Sequence, residues 1–311
     1  MTPCSIALTL FLASTAAPVA ADDAAVLSEA GLTQLARGDV AQARTTLERT
    51  LALDEAADAA VPPPGRVLRR VFTLNVLAAL AHAQGEDEDA ERLLRRALRA
   101  GEGLPPEGEA ERAETLTGLA WLVGARGDLR AGLHFASQAL QRYERVTGRR
   151  RVERVEALVA LASLEAARGR IEDAESRLRM ARRIADLEDA PASLRSITAV
   201  QFGALRLAQG RYAEAESLLE DALDLATQAM GADHPALVST MQLLADCYQR
   251  RGRLDDALAL SQRALRMADR AYGEGSAAAA PILAALEALR EPAVADRYDR
   301  RSAQSHGERL K

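Results

Sequence analysis

"GADHPALVSTMQLLADCYQRRGRLDDALALSQRALRMADRAYG", residues 231 to 273, places two amphipathic stretches on either side of Gly252. Apolar residues recur at spacings of three and four on both sides of the glycine, which is the period of a helix face turned toward a core. The glycine itself suits a left-handed residue ending the first helix, because it alone has no Cβ to clash there. Arg251 stands at the end of the first helix, and Asp255 and Asp256 stand at the start of the second. Each charge is where the helix dipole favours it. The stretch therefore predicts a helical hairpin.

The same pattern recurs along the chain around Gly38, Gly85, Gly127, Gly169, Gly210 and Gly252, separated by 47, 42, 42, 41 and 42 residues. Self-similarity at a fixed period is the signature of a stacked repeat. Three rows of small residues keep step with these glycines. Seven before each stand Gly31, Ala78, Ala120, Ala162, Gly203 and Ala245; five after, Ala43, Ala90, Gly132, Ala174, Ala215 and Ala257; twelve after, Thr50, Ala97, Ala139, Ala181, Ala222 and Ala264. Closely crossing helices require such rows, since a larger side chain would have no volume to occupy. Enlarging one should cost about 1–3 kcal/mol.

These rows, with the turn glycine and the leucines Leu77, Leu119, Leu161 and Leu244, resemble the tetratricopeptide repeat, in the longer form of about 42 residues found in the kinesin light chain group. The resemblance runs from about residue 23 to 290. It implies an all-α fold, a right-handed superhelical solenoid of antiparallel helical hairpins, whose first helices line a concave groove that commonly takes a peptide or partner protein. We expect six hairpins over residues 22–276, a degenerate seventh unit covering the last apolar face over 277–303, and a polar tail at 304–311. Prolines in "VPPPGR" (61–66) and "GEGLPPEGE" (101–109) predict loops, and Asp87, in place of an apolar residue, predicts a looser second hairpin.

The positions that face inward in that family lie 13, 10, 6 and 3 residues before each glycine. The middle of this surface is small and apolar, with Phe72 and Trp121 as large anchors, and Gly124 leaves room beside the tryptophan. Its last hairpin is polar, with Arg250 where the other five units all carry alanine. The candidate partner-binding residues are Phe72, Asn75, Trp121, Leu207, Gln242, Asp246, Gln249 and Arg250.

Composition and motifs narrow the function. Aromatics are only 3% of 311 residues, 48% are hydrophobic, and the net charge of −5 supplies no general attraction for nucleic acid or anionic lipid. The arginine run "GRRRVER" (148–154) includes Glu153, and no aromatic residue interleaves it for base stacking, so it reads as a solvated loop and helix start. His82, His134, His234 and His306 fall at no catalytic or metal-ligand spacing, and no phosphate loop, nucleophile elbow or zinc-helix motif occurs. His234, in "DHP", reads as a turn residue. Cys247 fills a slot that is mostly leucine elsewhere, as a small buried hydrophobe. We therefore expect no enzyme, no cofactor and no metal.

The N-terminus "MTPCSIALTLFLASTAAPVAADD" is an apolar run ending in small residues, as a signal peptide does, with cleavage after Ala21. It lacks the usual basic residue ahead of the run. A periplasmic or secreted protein is the expectation, with a cytoplasmic regulatory domain, or an uncleaved N-terminal anchor, as the alternatives.

Overall fold

The computed structural model describes residues 23–57, 62–104, 108–145 and 150–289. They form helices α1 (Asp23–Ala36), α2 (Val40–Ala56), α3 (Pro64–Ala83), α4 (Asp87–Ala100), α5 (Glu109–Ala125), α6 (Leu129–Arg145), α7 (Arg154–Ala167), α8 (Ile171–Leu187), α9 (Ala192–Ala208), α10 (Tyr212–Met230), α11 (Val238–Arg250) and α12 (Leu254–Tyr272). A further helix, α13, covers 280–289, and there is no strand among the described residues. Consecutive helices pair into six antiparallel hairpins stacked as a right-handed solenoid. The expected leader and tail lie outside the described residues, as does the seventh unit beyond residue 289.

The six glycines turn the chain as their spacing predicts. Each has a φ between 73° and 94°. At each turn the residue after the glycine donates its N–H to the carbonyl five residues back, as Asp39 does to Gln34 and Arg253 to Tyr248, at 2.9 and 2.8 Å. This bond closes the helix end and frees the next residue to begin a new helix. All three rows of small residues are buried. A Cβ on Gly31 would lie 2.8 Å from Leu47, and one on Gly203 would lie 2.7 Å from Leu219, so the paired helices have no room for a methyl group at these crossings. Asp87, at the turn where a looser hairpin is expected, makes a polar contact. Its carboxylate lies 2.6 Å from His82 Nδ1 and links the end of α3 to the start of α4.

Hairpins 1 and 2 are joined across the proline loop by a buried pair. Arg69 donates from Nε and Nη2 to the two oxygens of Asp54, at 2.9 and 2.5 Å. Both side chains are nearly sealed from solvent. The two parallel bonds fix the angle between hairpins as well as neutralising the charges.

The solenoid also closes on itself, which its repeat pattern does not announce. A Cβ on Gly38, at the tip of hairpin 1, would lie 3.0 Å from Pro235 at the entrance to hairpin 6. One on Gly85, at the tip of hairpin 2, would run into the Cβ of Ala277, just past hairpin 6. Both contacts span five hairpins, so the superhelix completes one turn in about five units and rests its second turn on its first. Leu35, Val40 and Phe72 share an apolar cluster with Ala236, and Met230, Ala271 and Tyr272 pack against it.

His234 fastens this seam. Its Nε2–H donates to the carbonyl of Leu35 at 3.0 Å, while Nδ1 accepts from the N–H of Ala236 at 3.2 Å and caps the short 3-10 turn Pro235–Leu237. Both nitrogens are committed to the neutral ring, and burial lowers the pKa against the opposing pull of the Leu35 carbonyl. A lowered native pKa means that the unfolded chain binds the proton more readily. The stabilisation is therefore whole above the unfolded histidine value of about 6.5 and is lost as pH falls below it.

Two measurements test the seam. Gly85 and Gly169 have the same φ, 81° and 82°, but nothing stands within 4 Å of a Cβ on Gly169. Replacing either with alanine incurs about 1–2 kcal/mol of left-handed strain, so Gly85→Ala should cost a further ~1–3 kcal/mol in urea unfolding through overpacking at the seam. Equal losses would mean that the contact contributes nothing. His234→Gln should be less stable than the native protein by about 1–2 kcal/mol at pH 7.5, and the gap should close by pH 5.

Candidate functional site

The inner face is built by the first helix of each hairpin. The tight winding brings these helices close together, and the candidate residues divide accordingly. Phe72, Asn75 and Trp121 are buried, with Asn75 at 0% and Trp121 at 5% exposure. Leu207, Gln242, Asp246 and Gln249 are half-buried, and Arg250 is exposed. The surface thus runs from a closed middle to an accessible end on hairpins 5 and 6.

In the closed middle, polar groups are only partly paired. Thr115 Oγ1 donates to the Glu111 carbonyl at 2.9 Å and lies 2.9 Å from the side-chain amide of Asn75, which ties hairpin 3 to hairpin 2. The Nε1 of Trp121 is buried without a hydrogen-bond partner. A buried donor left unpaired costs about 1–3 kcal/mol. The space that Gly124 was expected to leave beside Trp121 is filled: a Cβ there would run into the side chain of Leu164. The glycine serves the packing of hairpin 4 against hairpin 3.

Hairpins 3 and 4 place acids on this face. Glu114 and Glu156 occupy the same inward row as Phe72 and Ile197. Burial pushes the Glu156 carboxyl well above the usual carboxylate range, and the like charges of Glu114 and Glu153 push it further. No histidine, cysteine or acidic group of three or more among the described residues is placed to hold a metal ion. A cavity of about 670 Å³ lies away from the inner face, between α8 and α10, lined by Phe202, Leu218 and several arginines.

At the polar end, the stretch from Leu244 to Gly252 is mostly scaffold. Cys247 is fully buried, its thiol donates to the Tyr212 carbonyl at 3.1 Å, and burial raises its pKa. Tyr248 donates to Glu220 at 3.1 Å and stacks under the Arg253 guanidinium at 4.2 Å. Burial and then the Glu220 hydrogen bond push its pKa up to about 12. Arg250 and Asp246 pair with each other at 3.1 Å on adjacent turns. Exposed pairs of this kind are weak, so they can exchange partners readily.

Sequence reasoning did not single out Tyr143. Its ring is fully buried among Ala110, Ala113 and Ala157, and its hydroxyl has no partner. The only sign of it in the sequence is a large aromatic near the end of a second helix, which any core position could carry.

Models of the tetratricopeptide repeat match residues 194–289, 73–102, and 24–49 with 155–180, together more than half of the chain. Among solved structures, the fold is similar to a Rap protein complexed with competence and sporulation factor, at 17% identity and a TM-score of 0.53, over 92% of this chain and 94% of that one. It is similar also to BtubC (BKLC) from P. vanneervenii, at 21% and 0.52, over 76% and 92%. NprR in complex with its cognate peptide NprX aligns at 16% and 0.56, over 86% and 70%. At these identities the likeness is one of fold. No curated protein matches the sequence. With six glycine-turned hairpins, buried small-residue rows and the repeat models in agreement, the chain belongs to the tetratricopeptide repeat family.

Proposed function

We propose that this protein is a non-catalytic scaffold that binds a partner protein or an extended peptide along the inner face of its superhelix. The observation that carries the reading is the accessible end of the inner face on hairpins 5 and 6, together with the buried, unpartnered donor Trp121 Nε1 on the same face. An extended peptide presents backbone carbonyls along its length and can satisfy such a donor without any particular side chain. It enters from the half-buried end, where Leu207, Gln242, Asp246 and Gln249 offer an apolar contact beside adaptable polar groups. That the similar NprR fold is complexed with a cognate peptide supports this use of the architecture.

The apolar run at residues 1–21 supports export to the periplasm or beyond, with Asp22 as the mature N-terminus. No described helix is long and apolar enough to cross a membrane. Mass spectrometry of the protein's N-terminal peptide decides between this and a cytoplasmic regulatory role, in which Met1 would be retained.

Panning residues 22–311 against a random peptide library, followed by calorimetry on the selected peptides, tests the groove. Trp121→Phe removes the indole donor and keeps an aromatic ring, so affinity should fall about 5- to 30-fold, the equivalent of one buried hydrogen bond of about 1–2 kcal/mol. The double variant Gln242→Ala with Asp246→Ala should weaken binding at the open end. Affinities unchanged in both variants would remove the inner face as the binding surface.

A further inference from the structure

The cavity between α8 and α10 lies where one side chain departs from the repeat. Thirteen residues after each turn glycine stand Leu51, Leu98, Leu140, Arg182, Leu223 and Leu265. Leu51 is buried, and the other four leucines pack half-buried against the apolar clusters that join their hairpin to its neighbour. Arg182 instead lies largely in solvent. With no leucine to fill the gap between hairpins 4 and 5, a cavity of about 670 Å³ remains, with Phe202, Leu218 and Leu187 among its walls. Taking an apolar side chain out of such a place sacrifices packing.

The charges round this cavity are unequally paired. Glu175 takes Arg206 and Arg179, each at 2.7 Å, and Glu214 takes Arg211 at 2.6 Å. Arg182 has only a contact of 3.9 Å with Asp186, and the exposed Arg183 has no hydrogen bond or ion pair among the described residues. Two guanidiniums thus stand beside apolar walls with capacity for a further carboxylate, which such a fork grips through two parallel bonds. Leu187, 74% exposed, adds an apolar lip. Glu175, Asp186 and Glu214 lie among the arginines and repel a polyanion, so a nucleic acid or an anionic bilayer fits less well than a single carboxylate beside an apolar side chain.

We propose that this cavity is a second docking site, away from the inner face, for a segment of a partner protein in which a glutamate or aspartate adjoins a bulky apolar residue. The carboxylate meets Arg182 and Arg183, and the apolar side chain takes the volume that a leucine fills in the other units. The site is separate from the inner face, so a chain that uses both surfaces holds two partners at once.

The test uses the purified full-length protein and four pools of capped, fluorescein-labelled octapeptides, randomised except for a central pair fixed as Glu-Leu, Gln-Leu, Lys-Leu or Glu-Ser. Binding is read from fluorescence anisotropy. The Glu-Leu pool should bind about tenfold more tightly than the Gln-Leu and Glu-Ser pools, the worth of one hydrogen bond to a charged group, and the Lys-Leu pool should be weakest. Arg182→Leu restores the residue that the repeat carries elsewhere, so it should raise the urea midpoint and yet remove the Glu-Leu preference. A variant that binds less while unfolding later has not lost binding through misfolding. Arg183→Gln breaks no contact within the protein and should remove most of the preference with the midpoint unchanged. Trp121→Phe, on the inner face, should leave the preference intact. Equal binding of the pools, or binding of none, would overturn the site. A preference that survives both arginine variants, or that Trp121→Phe abolishes, would overturn it as well and return the acid to the inner face. Tighter binding of a labelled single-stranded oligonucleotide, or of anionic vesicles, than of the Glu-Leu pool would overturn the choice of a protein segment.

Discussion

The structure depends on how closely the two helices of each hairpin approach. At every crossing the contact residue is glycine, alanine or threonine, and at Gly31 and Gly203 the partner leucine already occupies the volume that a Cβ would need. Close approach narrows each hairpin on the side that carries the small residues, and a stack of narrowed units must curve. Six repetitions of the same crossing accumulate into a superhelix that returns to its start after about five hairpins. Aromatic residues would have widened the crossings, and the chain has few of them.

That curvature governs the inner face. A wide solenoid exposes its inward rows to water, where polar groups there need no partner. This one presses its first helices together, so Asn75 and Trp121 are taken out of water with part of their hydrogen-bonding capacity unused. The same compression raises the Glu156 carboxyl, because the low-polarity surroundings penalise charge and the adjacent acids add to the penalty. The half-buried residues of hairpins 5 and 6 keep one end of the inner face open.

Much of this was legible in the sequence because it is local or periodic. The turn glycines, the small rows and the leucine slot of Cys247 are each fixed by the requirements of a single hairpin, and a period of about 42 residues repeats the evidence six times. The seam was not legible. His234 read as a turn residue, and it is one, but its second bond reaches Leu35, 199 residues away. No row marks that bond, because curvature is the sum of small rotations and no single residue encodes it. Gly124 misled for a related reason: a missing side chain looks like space until the neighbouring hairpin, with Leu164, is brought against it. Tyr143 was missed because three helices assemble its surroundings.

The bond between His234 and Leu35 also changes what kind of object the solenoid is. An open array of repeats contacts only its neighbours, so it can fray from either end and its stability is close to a sum over adjacent pairs. Here the first hairpin is held by the second and by the sixth, so releasing it requires two interfaces to yield. Closing the seam brings together segments at opposite ends of the chain, and non-local contacts of this kind slow folding. The hairpins can form early from local contacts, but the seam cannot exist until the intervening units have stacked. The resulting molecule should behave less like a spring that unwinds coil by coil and more like a clasped bracelet, rigid until the clasp gives.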